Sequence, residues 1–211
     1  MSKPYRQLVA LAVLCSIGGC LLFAVAPGVW HRIGHHLFPL QPAKFSNATV
    51  ADFPLRSGSD GRCLVDQEGK PFMVIADSAW GLVGDLSPMD AEIYFSNRAS
   101  LGFNSVLIAI AVSDYAGSKV GGYETFDGLP SFAGGTSSTP GPLTKPYEPY
   151  WQRVDTMIKL AAKYHLNVIA FPMETGGWLQ TMEAAGVDNC HWYGEFIGKR
   201  YKDFPNIVWA F

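Results

Sequence analysis

The strongest constraint on this chain is a pattern repeated four times: an apolar run without polar alternation, cut off by a carboxylate or by the end of the chain. The first instance reads GKPFMVIADSAW from Gly69 to Trp80. A turn at Glu68-Gly69-Lys70-Pro71 releases Phe72 to Ala76, the run halts at Asp77, and Trp80 comes three residues later. Phe103 to Ala111 leads to Asp114, Asn167 to Met173 leads to Glu174, and Asn206 to Phe211 closes the sequence. A run that is apolar on both faces reads as a strand covered on both sides, as in a parallel sheet under helices.

The segments between the runs support that reading. Ser87-Pro88 opens a helix, with Ser87 as N-cap, Pro88 at the first helical position and Asp90 at the positive end of the dipole, and Gly102 stops it. A second helix spans about Pro149 to His165, where Trp151, Val154, Ile158 and Ala161 form one apolar face. A third spans about Asp188 to Lys202, with Trp192, Phe196 and Ile197 expected against the sheet. Strands alternating with helices, joined by crossovers long enough to be parallel, predict an α/β architecture. No Gly-rich phosphate turn comes after the first strand, which disfavours a dinucleotide-binding sheet. The expected fold is a partial (β/α)8 TIM barrel of about four βα units, shorter than the roughly 200 residues a whole barrel needs.

Three regions organise the chain: residues 1–28, an apolar N-terminal segment; 29–52, a Pro-rich linker; and 53–211, the barrel portion. Lys3 and Arg6 precede a charge-free run from Leu8 to Ala26, whose length suits the ~20 residues of a transmembrane helix. The positive-inside rule then places the barrel portion outside the cytoplasm. An uncleaved signal anchor is the first reading; cleavage after Ala24-Val25-Ala26 and a lipoprotein box at Ile17-Gly18-Gly19-Cys20 remain open. Within the barrel portion, Phe53 to Asp66 reads as a hairpin turning at Ser57 to Gly61, capping the barrel floor. Ser113 to Glu148 is long, Gly- and Pro-rich and carries Tyr115, Tyr123, Glu124, Phe126, Asp127 and Phe132; it reads as a lid.

Composition narrows the function. With 16 Lys and Arg against 18 Asp and Glu, there is no basic stripe for nucleic acid. No CxxC or His-Cys cluster has metal spacing, and His165 and His191 fall on helices, so neither a metal nor a cofactor is expected. Cys63 and Cys190 lie in the exported part, but nothing in their spacing brings them together.

If the strands are barrel neighbours, Asp77, Asp114 and Glu174 emerge on one rim with Trp80, Trp178 and Trp209 near the strand ends. Carboxylates gathered with aromatic faces are the requirement of glycoside hydrolysis, in which one acid protonates the leaving oxygen and another acts as base or nucleophile. Each acid also has a plainer reading. Asp77 is placed to cap the turn at Ser78, Asp114 to be a solvated loop acid, and Glu174 to bind amides of the Gly176-Gly177 turn.

The series GRCLVDQEGKPFMVIADSAWGL, YFSNRASLGFNSV, PYEPYWQRVDTMIKLAAKYHLNVIAFPM and YGEFIGKRYKDFPNIVWAF resembles the apiosidase-like glycoside hydrolase catalytic domains (the DUF4038 family, related to glycoside hydrolase family 140) over Phe53 to Phe211. The resemblance implies a TIM barrel acting on side chains of plant or microbial polysaccharides. The family's D-T-A-W appears as Asp77-Ser78-Ala79-Trp80. The family's catalytic carboxylates are expected beyond Trp209-Ala210-Phe211, so the resemblance assigns no catalytic residue here, and the chain is expected to be inactive alone. Asp77, Trp80, Asp114, Glu174, Trp178 and Trp209 are expected as substrate-binding residues. The alternative is a non-catalytic carbohydrate-binding or cell-surface remnant of such a barrel.

Overall fold

The computed structural model describes residues 51–116 and 122–211, together with 13–14 and 21–22. The chain divides into two units, Met1–Pro42 and Ala43–Phe211. In the first, β1 (Val13–Leu14) and β2 (Leu21–Leu22) pair antiparallel. The expected transmembrane helix over Leu8 to Ala26 is not met there, since these four residues are extended. Its remaining residues lie outside the described ones, and among the described residues no helix is long and apolar enough to cross a membrane.

The second unit begins with a three-stranded antiparallel sheet: β3 (Arg56–Ser57), β4 (Leu64–Val65) and β5 (Pro71–Phe72), in that order. The hairpin expected over Phe53 to Asp66 is present, and it recruits a third strand from residues expected in the barrel. Met73, Val74 and Ile75 come after it, exposed at 78%, 40% and 46%. The parallel strand is only β6 (Ala76–Ser78). The reason lies in Asn104. Its Nδ2 donates to Met73 O at 2.7 Å and its Oδ1 accepts from Ile75 N at 2.8 Å, so a side chain occupies backbone groups that a ladder would use.

Next come α1 (Leu82–Asp85), α2 (Pro88–Ser100), β7 (Ser105–Ala109), α3 (Glu148–Lys163), β8 (Asn167–Phe171), α4 (Thr175–Ala185), α5 (Val187–Tyr201) and β9 (Ile207–Trp209). The four strands β6-β7-β8-β9 are parallel and in sequence order. Parallel strands in sequence order, each joined to the next through a helix, are the arrangement of successive units in a βα barrel.

Local chemistry fixes these helices much as the residues foretell. Ser87 Oγ accepts from Asp90 N at 3.1 Å and donates to Asp90 Oδ2 at 2.6 Å, and the chain leaves α2 through Gly102 at φ +87°. On α3, Trp151, Val154, Ile158 and Ala161 are all buried as one face. They share one buried cluster with Val106, Ile108, Val168 and Ala170 of the sheet. Arg200 fastens α5 to α3 by forked contacts with Glu148 and Asp155 at 2.8–2.9 Å.

Three expectations change. The sheet-facing stripe of α5 is Tyr193, Ile197 and Tyr201; Trp192 is 39% exposed and lies parallel to the Phe196 ring. The Gly176-Gly177 turn expected after Glu174 is instead part of the helix α4. The long connection is no free lid over residues 122–147. Phe132 and Leu143 are buried in the core, and Ser131 O accepts from Trp151 Nε1 at 2.9 Å. Phe132 is thus core material supplied by a loop, while Phe126 stays exposed.

Candidate functional site

Side chains alternate between the two faces of a strand, and paired residues in a parallel ladder share a face. The register therefore sorts the expected site residues. Asp77 pairs with Val106, which pairs with Val168, and both valines are fully buried under helices. The Asp77 carboxylate accordingly points at α2. Oδ2 accepts from Tyr94 OH at 2.8 Å and meets Arg98 Nε at 2.5 Å, while Oδ1 accepts from Ser78 N at 2.9 Å. Burial pushes this carboxyl up, but Tyr94, Ser78 and Arg98 outweigh it and hold it below the usual range. Burial and the Asp77 contact push the Tyr94 hydroxyl up to about 12. Asp77 is thus an ion-paired anchor of the helix layer. It lines a cleft of about 520 Å³ with Ser78, Trp80, Asp85, Tyr94 and Arg98, but does not project into a mouth shared with the other acids.

Trp209 is also on the helix side. It pairs with Ala170 and packs on Tyr201 at 6.1 Å. Trp178 is wholly buried on α4, donating from Nε1 to Ala111 O at 3.3 Å, with Tyr123 edge-on at 4.8 Å. The wholly buried Trp178 ring offers no face to a ligand, whereas Trp209 is only partly buried. Trp80 does face the other way. Its ring lies 4.5 Å from Phe171, which shares its face with Ile169, away from the helices.

Asp114 and Glu174 do converge. Asp114 opens a short 3₁₀ turn, Asp114–Ala116, just beyond β7, and is exposed. Glu174 sits beyond β8 at the N-terminus of α4 and is only 6% exposed. Ser113 Oγ donates to Glu174 Oε1, while Oε2 is buried with no hydrogen-bond partner. Burial raises this carboxyl above its ordinary value; the Ser113 bond opposes that, and the Asp114 charge adds to it. Beneath lie two buried tyrosines: Tyr150 OH accepts from Val112 N and donates to Ile110 O, each at 2.8 Å, and Tyr193 OH donates to Pro172 O at 2.7 Å. The ends of β7 and β8 are thus held by side-chain hydroxyls where the ladder stops. A buried carboxyl whose pKa is raised beside an exposed acid is a pairing suited to proton transfer and to binding hydroxyls.

Two glycines let this cluster close. A Cβ on Gly177 would lie 2.7 Å from Glu174 Oε1 and 2.5 Å from Ser113 Cβ. A Cβ on Gly176 would enter the ring of Tyr115. Helix α4 carries both residues, poor helix formers though they are, because the loop after β7 docks on its first turn. Ser113, Tyr115 and the Tyr94–Arg98 pair escape a motif reading. The i, i+4 spacing of the last pair does show that the two share a helix face. Among the described residues no group of three His, Cys, Asp or Glu is arranged to hold a metal, and Cys63 and Cys190 are free thiols.

Comparison with known proteins bears on this geometry. No curated protein matches the chain. Among solved structures, one described as a glycoside hydrolase is 26% identical with a TM-score of 0.54, covering 74% of this chain and 33% of its own. A glycoside hydrolase family 5 structure from Bacteroides vulgatus ATCC 8482 is 23% identical with a TM-score of 0.53, covering 74% and 31%. A putative glycoside hydrolase from the same organism is 13% identical with a TM-score of 0.56, covering 78% and 32%. The last two speak to the fold alone, and the chain spans about a third of the length of the structures it matches. The model of the family described as "Apiosidase-like, catalytic domain" matches residues 58–211, most of the chain, and the protein belongs to that family of glycoside hydrolase domains.

Proposed function

We propose that this domain takes part in cleaving glycosidic bonds of side chains on plant or microbial polysaccharides, with its strand-end loops binding the glycan. The family match supports the reaction class. The observation that carries the local reading is Glu174, a buried carboxyl kept toward its neutral form beside exposed Asp114 at the ends of adjacent parallel strands. Glycosidases need carboxyl groups in opposite protonation states around an oxocarbenium-like transition state. In this proposal Glu174 and Asp114 bind and orient sugar hydroxyls, and Trp80 against Phe171 presents an aromatic face to a sugar ring. Asp77, Trp178 and Trp209 hold the scaffold. The Lys3, Arg6 and Leu8 to Ala26 pattern supports export, and fractionation of cells between cytoplasm and envelope checks it.

The test is a screen of the chain against pectic, hemicellulosic and microbial polysaccharides, read both as sugar release and as retention in glycan-containing gels. Trp80→Ala and Glu174→Gln accompany the parent. The reading expects a glycan that the parent engages and that both variants engage at least several-fold less. Variants indistinguishable from the parent on every engaged glycan would refute the site. Retention without release, from the chain joined to the later βα units of a full barrel, would instead favour a binding module.

A further inference from the structure

Tyr115 is the most exposed aromatic ring beside the strand-end cluster, 66% accessible, yet it is firmly held. It comes directly after Asp114 in the 3₁₀ turn that leaves β7. A Cβ built on Gly176 falls at nearly equal distances from the Tyr115 Cγ, Cδ1 and Cδ2 atoms. Three atoms of a hexagon are equidistant only from points on the ring axis, so Gly176 abuts the centre of one ring face. That face is sealed by backbone of α4, and the accessible area belongs to the opposite face and the edges. The adjoining turn is itself pinned by the Ser113 bond to Glu174, by Gly177 packed against both, and by Tyr123 OH donating to Gly177 O at 3.0 Å.

A rigid ring with one face backed and the other open costs little entropy to use as a platform. The axial C–H face of a pyranose is the apolar surface that fits it, and a carboxylate next to the ring accepts from equatorial hydroxyls. We propose that Tyr115, seated face-down on Gly176, is the stacking platform for one sugar ring of the substrate glycan, with Asp114 beside it as hydroxyl acceptor. This rests on the glycan-binding function proposed above and assigns to one ring the recognition of a single sugar unit.

The experiment is affinity electrophoresis of the full chain in gels containing the glycan that retards the parent. Tyr115→Ala, Tyr115→Phe and Gly176→Ala are run together with Trp80→Ala. Tyr115→Ala should weaken retention about tenfold, the scale of one lost aromatic contact. Tyr115→Phe, which keeps the ring, should bind as the parent does. Gly176→Ala should weaken binding although it removes no ligand-facing atom, because its methyl displaces the ring. Circular dichroism melts of each variant separate loss of the platform from loss of folding. A correctly folded Tyr115→Ala retained like the parent, while Trp80→Ala is released, overturns the assignment of Tyr115 and leaves the glycan-binding function standing. A parent retarded by no glycan refutes that function and this inference with it.

Discussion

The same substitution should have opposite signs at two glycines of neighbouring helices. Gly194 lies on the exposed side of α5, where an added Cβ meets nothing within 4 Å. Alanine there exchanges the worst ordinary helix former for the best, a gain of about 1 kcal/mol. Gly177 in α4 has the same propensity to gain, but its Cβ would sit 2.7 Å from Glu174 Oε1 and 2.5 Å from Ser113 Cβ. Both neighbours are buried, and Ser113 Cβ, attached directly to the backbone, cannot swing aside. Forcing them apart is overpacking, at about 1–3 kcal/mol. It also strains the Ser113–Glu174 bond, and an orphaned buried partner adds about 1–3 kcal/mol. Net of propensity, Gly177→Ala should be destabilised by about 1–5 kcal/mol and Gly194→Ala stabilised by about 1. For a domain this size each kcal/mol shifts Tm by roughly 2–4 °C. Urea and thermal melts followed by far-UV circular dichroism measure both. The packing argument is refuted if Gly177→Ala raises the midpoint as Gly194→Ala does.

Three further outcomes hang on single groups. Glu174 has its folded pKa raised above the ordinary 4.5, so the folded state keeps a proton that the unfolded chain releases. Its contribution is full below 4.5 and is lost as pH rises toward the folded value. Glu174→Gln should therefore gain stability relative to the parent as pH rises above the ordinary carboxyl value of 4.5, and a pH-independent difference would contradict this. Asp77 has its folded pKa lowered below 3.8 and contributes above that value, losing the contribution as pH falls through the folded one. Asp77→Asn should lower the melting midpoint at neutral pH and flatten its fall in acid, and an unaltered acid limb would argue against the Arg98 pairing. Tyr150→Phe leaves Val112 N and Ile110 O without their buried partner and should cost about 1–3 kcal/mol in a urea melt, with an unchanged midpoint counting against the role of that hydroxyl.

How far the residues foretell the structure depends on which physics decides each position. Helix α2 is legible because its cap and stop are local: Ser87, Pro88, Asp90 and Gly102 act within a few residues of themselves. The α3 face is legible because its period survives whatever it packs on. Residues 72–76 mislead because an apolar run looks the same in a ladder or out of one, and Asn104, far along the chain, decides. Helix α4 escapes notice because Gly176-Gly177 argues for a loop by propensity, while the tight approach of Ser113 and Tyr115 imposes glycine inside a helix. Tertiary demand outweighs a propensity difference of about 1 kcal/mol per residue.

The two acids expected to work together show what the pattern of runs and stops leaves out. Asp77 and Glu174 each end an apolar run, yet Asp77 is still inside its strand while Glu174 lies beyond the end of β8. Inside a strand, parity sets direction: Asp77 shares its ladder rung with Val106 and Val168 and so turns to the helices, where Tyr94 and Arg98 stabilise its charge. Beyond a strand, parity no longer applies and the next helix sets direction. Glu174, at the head of α4, turns under the β7 loop and is shut away from water with Ser113 bonded to one oxygen. One carboxyl is thereby held charged and the other is driven toward its neutral form, from stretches that read alike. The offset of each acid relative to its strand end separates an acid turned to the helices from one turned under the neighbouring loop. For the same reason, moving the carboxylate from residue 77 to residue 78, onto the face of Leu107 and Ile169, should abolish the Arg98 pairing and add a carboxylate to the face that Trp80 occupies.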